Sequence, residues 1–168
     1  MENKPENFKL IPLTQGQFSI VDAEDYDRLS QYTWYAAKSG STFYACRARG
    51  RTTVHMHREI MRAPKGMICD YKNHNGFDNR KSNLRLCTSS QNAWNQQARA
   101  GCTSKYKGVC WHKKHKKWQA RIACNGNRMH LGSFDNEIDA ALAYDRRAIE
   151  VFGEFAYLNF PERIELRN

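Results

Sequence analysis

The sequence has no long apolar run, no signal peptide and no paired cysteine motif. None of its apolar stretches approaches the roughly 20 residues that a membrane span needs. The first ten residues lack the hydrophobic core of a signal peptide, so we expect a cytoplasmic protein with no membrane partner. None of the six cysteines belongs to a Cys-x-x-Cys pair, which argues against a structural zinc site. Without a secretory signal we also expect no disulfides, and we interpret the cysteines as buried or incidental thiols.

Carboxylates are also missing from one long stretch. Residues 97–131 contain nine lysines and arginines and no aspartate or glutamate, in a chain with a formal charge of +10. A solvated surface usually mixes charges of both signs. Clustered cations gain affinity for nucleic acid because their binding releases counterions from the phosphates. The charge distribution therefore predicts an anionic partner, with a lysine-rich loop kept for solubility as the alternative.

We interpret residues 1–62 as a small α/β lead-in segment. Residues 22–31 have helical composition, and turn-forming residues at 38–41 and 50–51 separate short runs of β-forming residues. We predict strands at 18–21, 33–37, 42–47 and 53–57.

A second segment covers residues 63–96. It has a short strand at 67–71, a polar loop at 73–79, a strand at 84–87 and then a helix. The helix is expected to begin near Ser89 or Ser90.

Two oxygen donors lie on elements of this second segment. Asp70 is at the end of the first strand, and Asn92 is on the helix. Magnesium prefers oxygen ligands and needs only one or two from the protein, so the two residues are candidate metal ligands. From spacing alone, an aspartate near a turn and an asparagine on a helix surface is the simpler interpretation.

Residues 105–161 predict a three-stranded antiparallel sheet, after a linker at 97–104 and before a tail at 162–168. The run 118–123 alternates, with its larger apolar residues on one face. Asn-Gly at 125–126 between two alternating runs predicts a hairpin, and residues 106–112 supply the third strand.

A helix is predicted to cover one face of this sheet. Its N-cap is Asp135 or Asn136, and Gly153 follows its last turn. Small residues such as Ala140 allow close packing on the strands. The other face then presents basic side chains: Lys107, His112, Arg121, Arg128 and His130.

Several motifs with fixed spacing lie in this last segment. They are Tyr106-Lys107-Gly108-Val109, Trp118-x-Ala120-x-Ile122, Leu131-Gly132-x-Phe134, Ala140-Ala141-x-Ala143-Tyr144-Asp145 and Leu158-Asn159-Phe160-Pro161. Together they resemble the Apetala/ethylene-response-factor type of DNA-binding domain. The resemblance implies that alternate strand residues contact the major groove, which admits a β-sheet.

The implied DNA contacts fall on the basic sheet face and on the turn beside it. They are Lys107, His112, Lys113, Lys114, Lys116, Lys117, Arg121, Arg128, His130 and Ser133. The sequence departs from the plant pattern at Cys110 and Ala123, where arginines are usual, which leaves the recognised base sequence open. We expect Trp111 and Trp118 to pack between sheet and helix rather than stack on bases.

The second segment also carries motifs. They are His57-Arg58-x-Ile60-Met61, Asp70-x3-His74-Asn75-Gly76-x-Asp78-Asn79-Arg80, Ser82-Asn83-Leu84-Arg85 and Thr88-x2-Gln91-Asn92. They resemble the HNH endonucleases of phages and mobile introns, which are often joined to an Apetala-type domain. The resemblance implies an α+β chain with a ββα-metal (His-Me finger) unit. In that unit Asp70 and Asn92 hold one Mg²⁺ or Mn²⁺ ion, and Asn83 braces the loop or orients the general base.

One position departs from the HNH pattern. Tyr71 stands where the family has the histidine that activates water. A tyrosine with a pKa of about 10 is ionised in roughly one molecule in a thousand at neutral pH. General-base catalysis commonly contributes about 10²–10⁴ in rate. We therefore expect cleavage to be lost or strongly weakened, unless His74 partly replaces the base or the metal generates hydroxide with little help.

His55 and His57 are weaker candidate ligands. We expect His57 instead to start or brace the short helix that follows, with His55 on the preceding strand.

Three functions compete. The leading hypothesis is a homing-type, metal-dependent endonuclease that acts on double-stranded DNA, as a monomer, in the nucleoid of a bacterial or phage-infected cell. The second is a DNA-binding regulator that no longer cleaves. The third is an RNA-binding accessory protein, but the outward sheet face lacks the paired aromatic residues of an RNA-recognition sheet.

Overall fold

A computed structural model describes residues 7–40, 42–98 and 101–165. The start of the predicted lead-in, residues 99–100 of the predicted linker and the end of the predicted tail lie outside the described residues. The described chain mixes helices with antiparallel sheets, which confirms the α+β class. It divides into two compact units, with the boundary between Ser89 and Ser90.

The first unit contains three small antiparallel sheets. In chain order its elements are β1 (Phe8–Pro12), β2 (Phe18–Asp22), α1 (Ala23–Leu29), β3 (Tyr35–Ser39), β4 (Thr42–Arg49), β5 (Thr52–His55), α2 (Met56–Ile60), β6 (Ile68–Tyr71) and β7 (Leu84–Cys87). β1 pairs with β2, β3 and β5 flank β4, and β6 pairs with β7.

The structure confirms most of the predicted elements of this unit. β1 was not predicted, because Ile11 is its only buried residue and the strand has little apolar alternation. The predicted strand at 53–57 ends earlier, at His55, where the backbone turns into α2. The core surrounds Trp34, whose indole nitrogen donates a hydrogen bond to the carbonyl of Leu29 at 2.8 Å.

The loop between β6 and β7 is attached to β2 through backbone hydrogen bonds. The Ile20 N–H donates to the Phe77 carbonyl, and the Asn79 N–H donates to the Ile20 carbonyl, both at 2.8 Å. Gly76 lies so close to β4 that a Cβ atom there would be 2.0 Å from the carbonyl oxygen of Phe43. Only glycine fits so close to the backbone of β4, so the loop between β6 and β7 packs directly against this strand.

From residue 89 onward, the chain forms a three-stranded sheet with helices. The elements are α3 (Ser89–Asn95), β8 (Val109–His112), β9 (Lys117–Cys124), β10 (Asn127–Phe134), α4 (Glu137–Phe152) and α5 (Glu162–Glu165). The sheet order is β10-β9-β8, and both pairs are antiparallel, as predicted.

The local signals predicted for this part of the chain are confirmed. Asn125 and Gly126 both have positive φ, which gives the two-residue hairpin turn. The Asn136 side chain accepts a hydrogen bond from the Ile138 N–H at 2.8 Å and caps α4. Gly153 follows the last turn of the helix.

Helix α4 covers one face of the sheet. Alanines of the helix, including Ala140 and Ala141, pack against Val109 and Ala120 of the strands. Trp118 joins this packing, and its ring lies 5.0 Å from that of Trp111 in an edge-to-face contact.

Gly108 explains why β8 begins later than predicted. Its φ is +76°, and a Cβ atom there would be 2.0 Å from the ring of Tyr144. The turn at this glycine starts β8 at Val109 rather than Tyr106, so Lys107 precedes the strand.

None of the helices in the described ranges is long and apolar enough to span a bilayer. All six cysteines are free thiols, and Cys46, Cys69 and Cys87 are buried.

Candidate functional site

The β6–β7 hairpin fixes the carboxylate of Asp70. Asp70 lies directly opposite Arg85 in the antiparallel register, and each residue is only 8% exposed. Two guanidinium nitrogens of Arg85 donate to one carboxylate oxygen of Asp70, at 2.9 and 3.0 Å. Because the pair is buried, removing either partner would leave a buried charge and is expected to cost far more than breaking a surface ion pair. The orientation of Asp70 is therefore set by Arg85, whose role the sequence analysis missed although it lies in a quoted motif.

Tyr71 points to the opposite face of the hairpin, because successive strand residues alternate. It is 5% exposed, and its hydroxyl lies 2.8 Å from Nδ1 of His57. The same hydroxyl donates to Oδ1 of Asn79 at 3.0 Å. Burial raises the pKa of Tyr71 well above its ordinary value. Its hydroxyl is therefore a neutral donor within the core, a poor arrangement for a general base.

The two histidines near α2 belong to the same buried cluster. His55 is the N-cap residue of α2, and its Nδ1 lies 3.2 Å from the thiol of Cys46. Burial, with smaller effects from His55 and Arg58, lowers the pKa of His57 to about 3. His57 is thus neutral near pH 7. Both rings pack at the start of α2, in the positions that the sequence analysis predicted for them.

The polar loop between the strands is held by its own asparagines. The Asn83 side chain donates to the Asp78 carbonyl at 2.8 Å and accepts from the Asn73 N–H at 3.0 Å. Arg80 donates twice to the Asp78 carboxylate, each time at 2.7 Å, and these bonds lower the pKa of Asp78. Asn83 therefore has the geometry of a loop brace, one of the two roles considered for it.

His74 occupies a left-handed turn directly after β6. Its φ is +61°, and its N–H donates to the Tyr71 carbonyl at 3.2 Å. A non-glycine residue at positive φ is uncommon and is concentrated at functional sites. His74 therefore lies in the turn three residues beyond Tyr71, and its role as a substitute base stays a prediction.

No three His, Cys, Asp or Glu side chains in the described ranges are grouped so that they could hold a metal ion. An HNH-type site would need fewer such groups, because one of its two protein ligands is an amide. Asp70 lies in the first compact unit and Asn92 in the second, and their joint role stays a prediction.

On the second unit, the sheet face away from α4 brings four of the ten predicted DNA contacts together. Arg121 lies opposite His130, and Arg128 lies opposite Ala123. Ser133 lies opposite Gln119 on the same face. Gln119 is buried although it shares this face, and it accepts a hydrogen bond from Arg121.

Lys107 has a different environment from the one predicted. Its ammonium group donates to the carbonyls of Ala93, at 3.2 Å, and Trp94, at the end of α3. Its backbone N–H donates to the Asn159 side chain at 2.8 Å. Burial lowers the pKa of Lys107 to about 8. Lys107 therefore precedes β8 instead of lying within the predicted strand, because the turn at Gly108 comes first, and its role as a DNA contact stays a prediction.

The remaining predicted contacts lie at the turn between β8 and β9. Lys113, Lys114 and Lys116 are exposed there. Lys117 forms an ion pair with Asp135. His112 ends β8, and its ring lies 4.5 Å from that of His115.

Comparisons with known proteins agree with both sequence resemblances. Residues 62–94 match the family model described as HNH endonuclease. An uncharacterized HNH endonuclease, L560, of Acanthamoeba polyphaga mimivirus is 30% identical over 156 residues, which is 90% of this chain and 80% of that protein. Protein 3.8 of Escherichia phage T7 is 31% identical over 93 residues, or 55% of this chain and 76% of that protein. The chain belongs to the HNH endonuclease family.

The C-terminal part has a separate set of relatives among plant transcription factors. AP2-like ethylene-responsive transcription factor PLT2 of Arabidopsis thaliana is 48% identical over 59 residues, which is 34% of this chain and 10% of that protein. Dehydration-responsive element-binding protein 2D of the same plant is 45% identical over 67 residues, or 39% of this chain and 31% of that protein. The HNH and AP2-type resemblances are thus both confirmed.

Proposed function

We propose that the protein is a metal-dependent DNA endonuclease whose C-terminal sheet docks it on a duplex. The observation that carries this proposal is the buried pairing of Asp70 with Arg85 inside the HNH-matched region. A carboxylate held by two hydrogen bonds is preorganised, and preorganised ligands are what phosphodiester chemistry requires. The expected products carry a 5′-phosphate and a 3′-hydroxyl.

The donor set fits a hard divalent cation. Asp70 offers carboxylate oxygens and Asn92 an amide oxygen, and Mg²⁺ completes its coordination with waters. Arg85 bonds one carboxylate oxygen of Asp70 and keeps the side chain oriented. A bound Mg²⁺ or Mn²⁺ ion would lower the pKa of a bound water and stabilise charge on the leaving oxygen.

Tyr71 weakens the chemistry in this chain. Its hydroxyl forms hydrogen bonds with Asn79 and His57, and burial raises its pKa, so the hydroxyl stays protonated. Water activation would then depend on His74 or on a bound cation, with the corresponding loss of rate. The homing type is supported by the family resemblance alone. Monomeric action and a nucleoid-associated cytoplasmic location complete the proposal.

The C-terminal sheet supplies the docking surface. Its outward face carries Arg121, Arg128 and His130, and the exposed lysines of the β8–β9 turn lie in the same unit. Arginine forms bidentate hydrogen bonds with guanine in the major groove, whereas lysines of a turn contact phosphates. Double-stranded DNA is the partner that this chemistry favours over single-stranded RNA.

A plasmid-nicking assay with Mg²⁺ or Mn²⁺ tests the proposal. We expect Tyr71→His to nick faster than the original chain, because it restores the histidine that the HNH pattern has at the general-base position. Adding Asp70→Ala to Tyr71→His is expected to abolish nicking. A Tyr32→His variant, at an exposed tyrosine of the same unit, is the matched control and is expected to leave the rate unchanged.

A second candidate function is a DNA-binding regulator that does not cleave. The observation that favours it is the commitment of the Tyr71 hydroxyl to the core. If neither the original chain nor Tyr71→His nicks DNA while both bind duplex tightly, this second function replaces the first.

A further inference from the structure

We propose that Lys107 is a positioning residue and not a DNA contact, and that it makes the end of α3 part of the DNA-binding surface. Gln96 and Gln97, which follow α3, would then contact base edges beside Arg121 and Arg128. This inference rests on the proposed docking of the second unit on DNA, and it adds a specificity-determining segment outside the sheet.

Three contacts fix the end of α3 within the second unit. The rings of Trp94 and Phe152 are stacked with centroids 4.6 Å apart and planes 14° apart. The Tyr157 N–H donates to the Trp94 carbonyl at 3.2 Å. The Lys107 ammonium donates to the same carbonyl and to that of Ala93. The helix end is therefore fixed by packing and by hydrogen bonds at once.

The chemistry of the Lys107 contact is that of a helix C-cap. The last carbonyls of a helix have no partners within it and carry partial negative charge, so a cation there is stabilising. Asn159 holds the backbone of Lys107 on both sides, accepting from its N–H at 2.8 Å and donating to its carbonyl at 3.2 Å. The hydrogen bonds to the Ala93 and Trp94 carbonyls use two of the three ammonium donors and hold Lys107 against the end of α3.

The fixed segment lines one cavity together with the sheet. The cavity has a volume of about 780 Å³, and Gln96, Gln97, Arg121 and Arg128 contribute to its lining, together with Lys107 itself. Both glutamines are exposed, and the lining includes no acidic side chain. Glutamine can bond adenine through its amide, and arginine can bond guanine, so the two elements present complementary means of base recognition. The absence of acidic groups from this lining favours a polyanion as its occupant.

Selection of bound duplexes from a randomised DNA library tests the recognition step with the full chain. We expect the double variant Gln96→Ala/Gln97→Ala to lose preference at one or two positions next to those that Arg121→Ala relaxes. The expected loss of discrimination there is about tenfold. The double variant changes only exposed side chains, so it is expected to fold normally.

Salt titration of duplex affinity tests the role of Lys107. Lys113→Met, at an exposed lysine, is expected to reduce the slope of log affinity against log salt by about 0.9. Lys107→Met is expected to leave that slope unchanged and to lose the same base preference as the glutamine variant. Combining Lys107→Met with the two glutamine changes should add no further loss, and Lys107→Arg should restore the preference.

Two results would overturn the inference. One is a unit decrease of the salt slope in Lys107→Met with its base preference intact, which would make Lys107 a phosphate contact. The other is an unchanged selected sequence in the glutamine variant. If Arg121→Ala also leaves selection unchanged, or if the original chain selects no sequence, the proposed docking by the sheet has itself failed.

Discussion

Asp70 and Tyr71 are neighbours in the sequence, but β6 gives them opposite surroundings. Asp70 meets Arg85 across the hairpin, whereas Tyr71 enters the core of the first unit. The sequence motif identified Asp70, because the asparagines that belong to the same motif follow it within a few residues. The partners of Tyr71 were not predictable, because His57 lies 14 positions away and reaches the tyrosine only through packing of α2.

The buried histidine next to Tyr71 makes stability depend on pH. The pKa of His57 is lowered from 6.5 to about 3, mainly by burial. Between these values the unfolded chain binds a proton that the folded chain does not bind. Stability is therefore complete above about pH 6.5 and is lost as the pH falls toward 3, with a slope that approaches about 1.4 kcal/mol per pH unit.

Urea titrations at a series of pH values, followed by the NMR signal of the Trp34 indole, measure this slope in the first unit. His57→Gln is expected to flatten most of it. Part of the slope will remain, because burial also lowers the pKa of His55. His130→Gln, which removes an exposed histidine of the other unit, is the matched control. An equal slope in His57→Gln and in the original chain would contradict the assignment.

At the scale of elements, alternation and turn residues predicted the hairpins well. The β9–β10 hairpin follows from Asn125-Gly126, and the α4 cap follows from Asn136. The same reasoning placed Lys107 inside strand β8, because the alternation of strand residues does not reveal the turn at Gly108, whose φ is positive. Periodicity also says nothing about which helix an isolated lysine will cap. The contacts of α3 therefore required the structure.

The β6–β7 hairpin depends on its buried ion pair. Arg85→Met would leave the Asp70 carboxylate buried without its arginine, and we expect a loss of about 3–5 kcal/mol in the free energy of unfolding. Adding Asp70→Asn should recover much of the loss, since it removes the uncompensated charge.

Arg28→Met is the matched control for this ion pair. Arg28 pairs with the buried Asp25 at 2.6 Å, but Arg28 is 44% exposed and Asp25 keeps a second cation, Lys81, at 3.0 Å, so the loss of Arg28 should cost about 1 kcal/mol or less. Urea denaturation of the first unit gives all these values. Equal losses for Arg85→Met and Arg28→Met would contradict the expectation that removing Arg85 leaves an uncompensated buried charge.

At the scale of the whole molecule, charge separates along the chain. Most of the 27 basic residues fall between positions 38 and 131, and the acidic residues are concentrated toward the two ends of the sequence. Composition alone predicted an anionic partner, and the motifs predicted which unit would bind it. Which cations face the partner depends on local pairing, as the ion pair between Lys117 and Asp135 shows.

The basic residues of the second unit should divide into two groups by their effect on DNA affinity. Arg121→Ala or Arg128→Ala is expected to cost about 1–3 kcal/mol on the preferred duplex and to relax base preference, because each would lose contacts with base edges. Changing Lys113, Lys114 and Lys116 to glutamine should weaken all duplexes alike. The salt slope should then fall by about 2.7, since three phosphate contacts disappear. Fluorescence anisotropy on the selected duplex and on a scrambled one distinguishes the groups, and equal losses on both duplexes for both groups would refute the division.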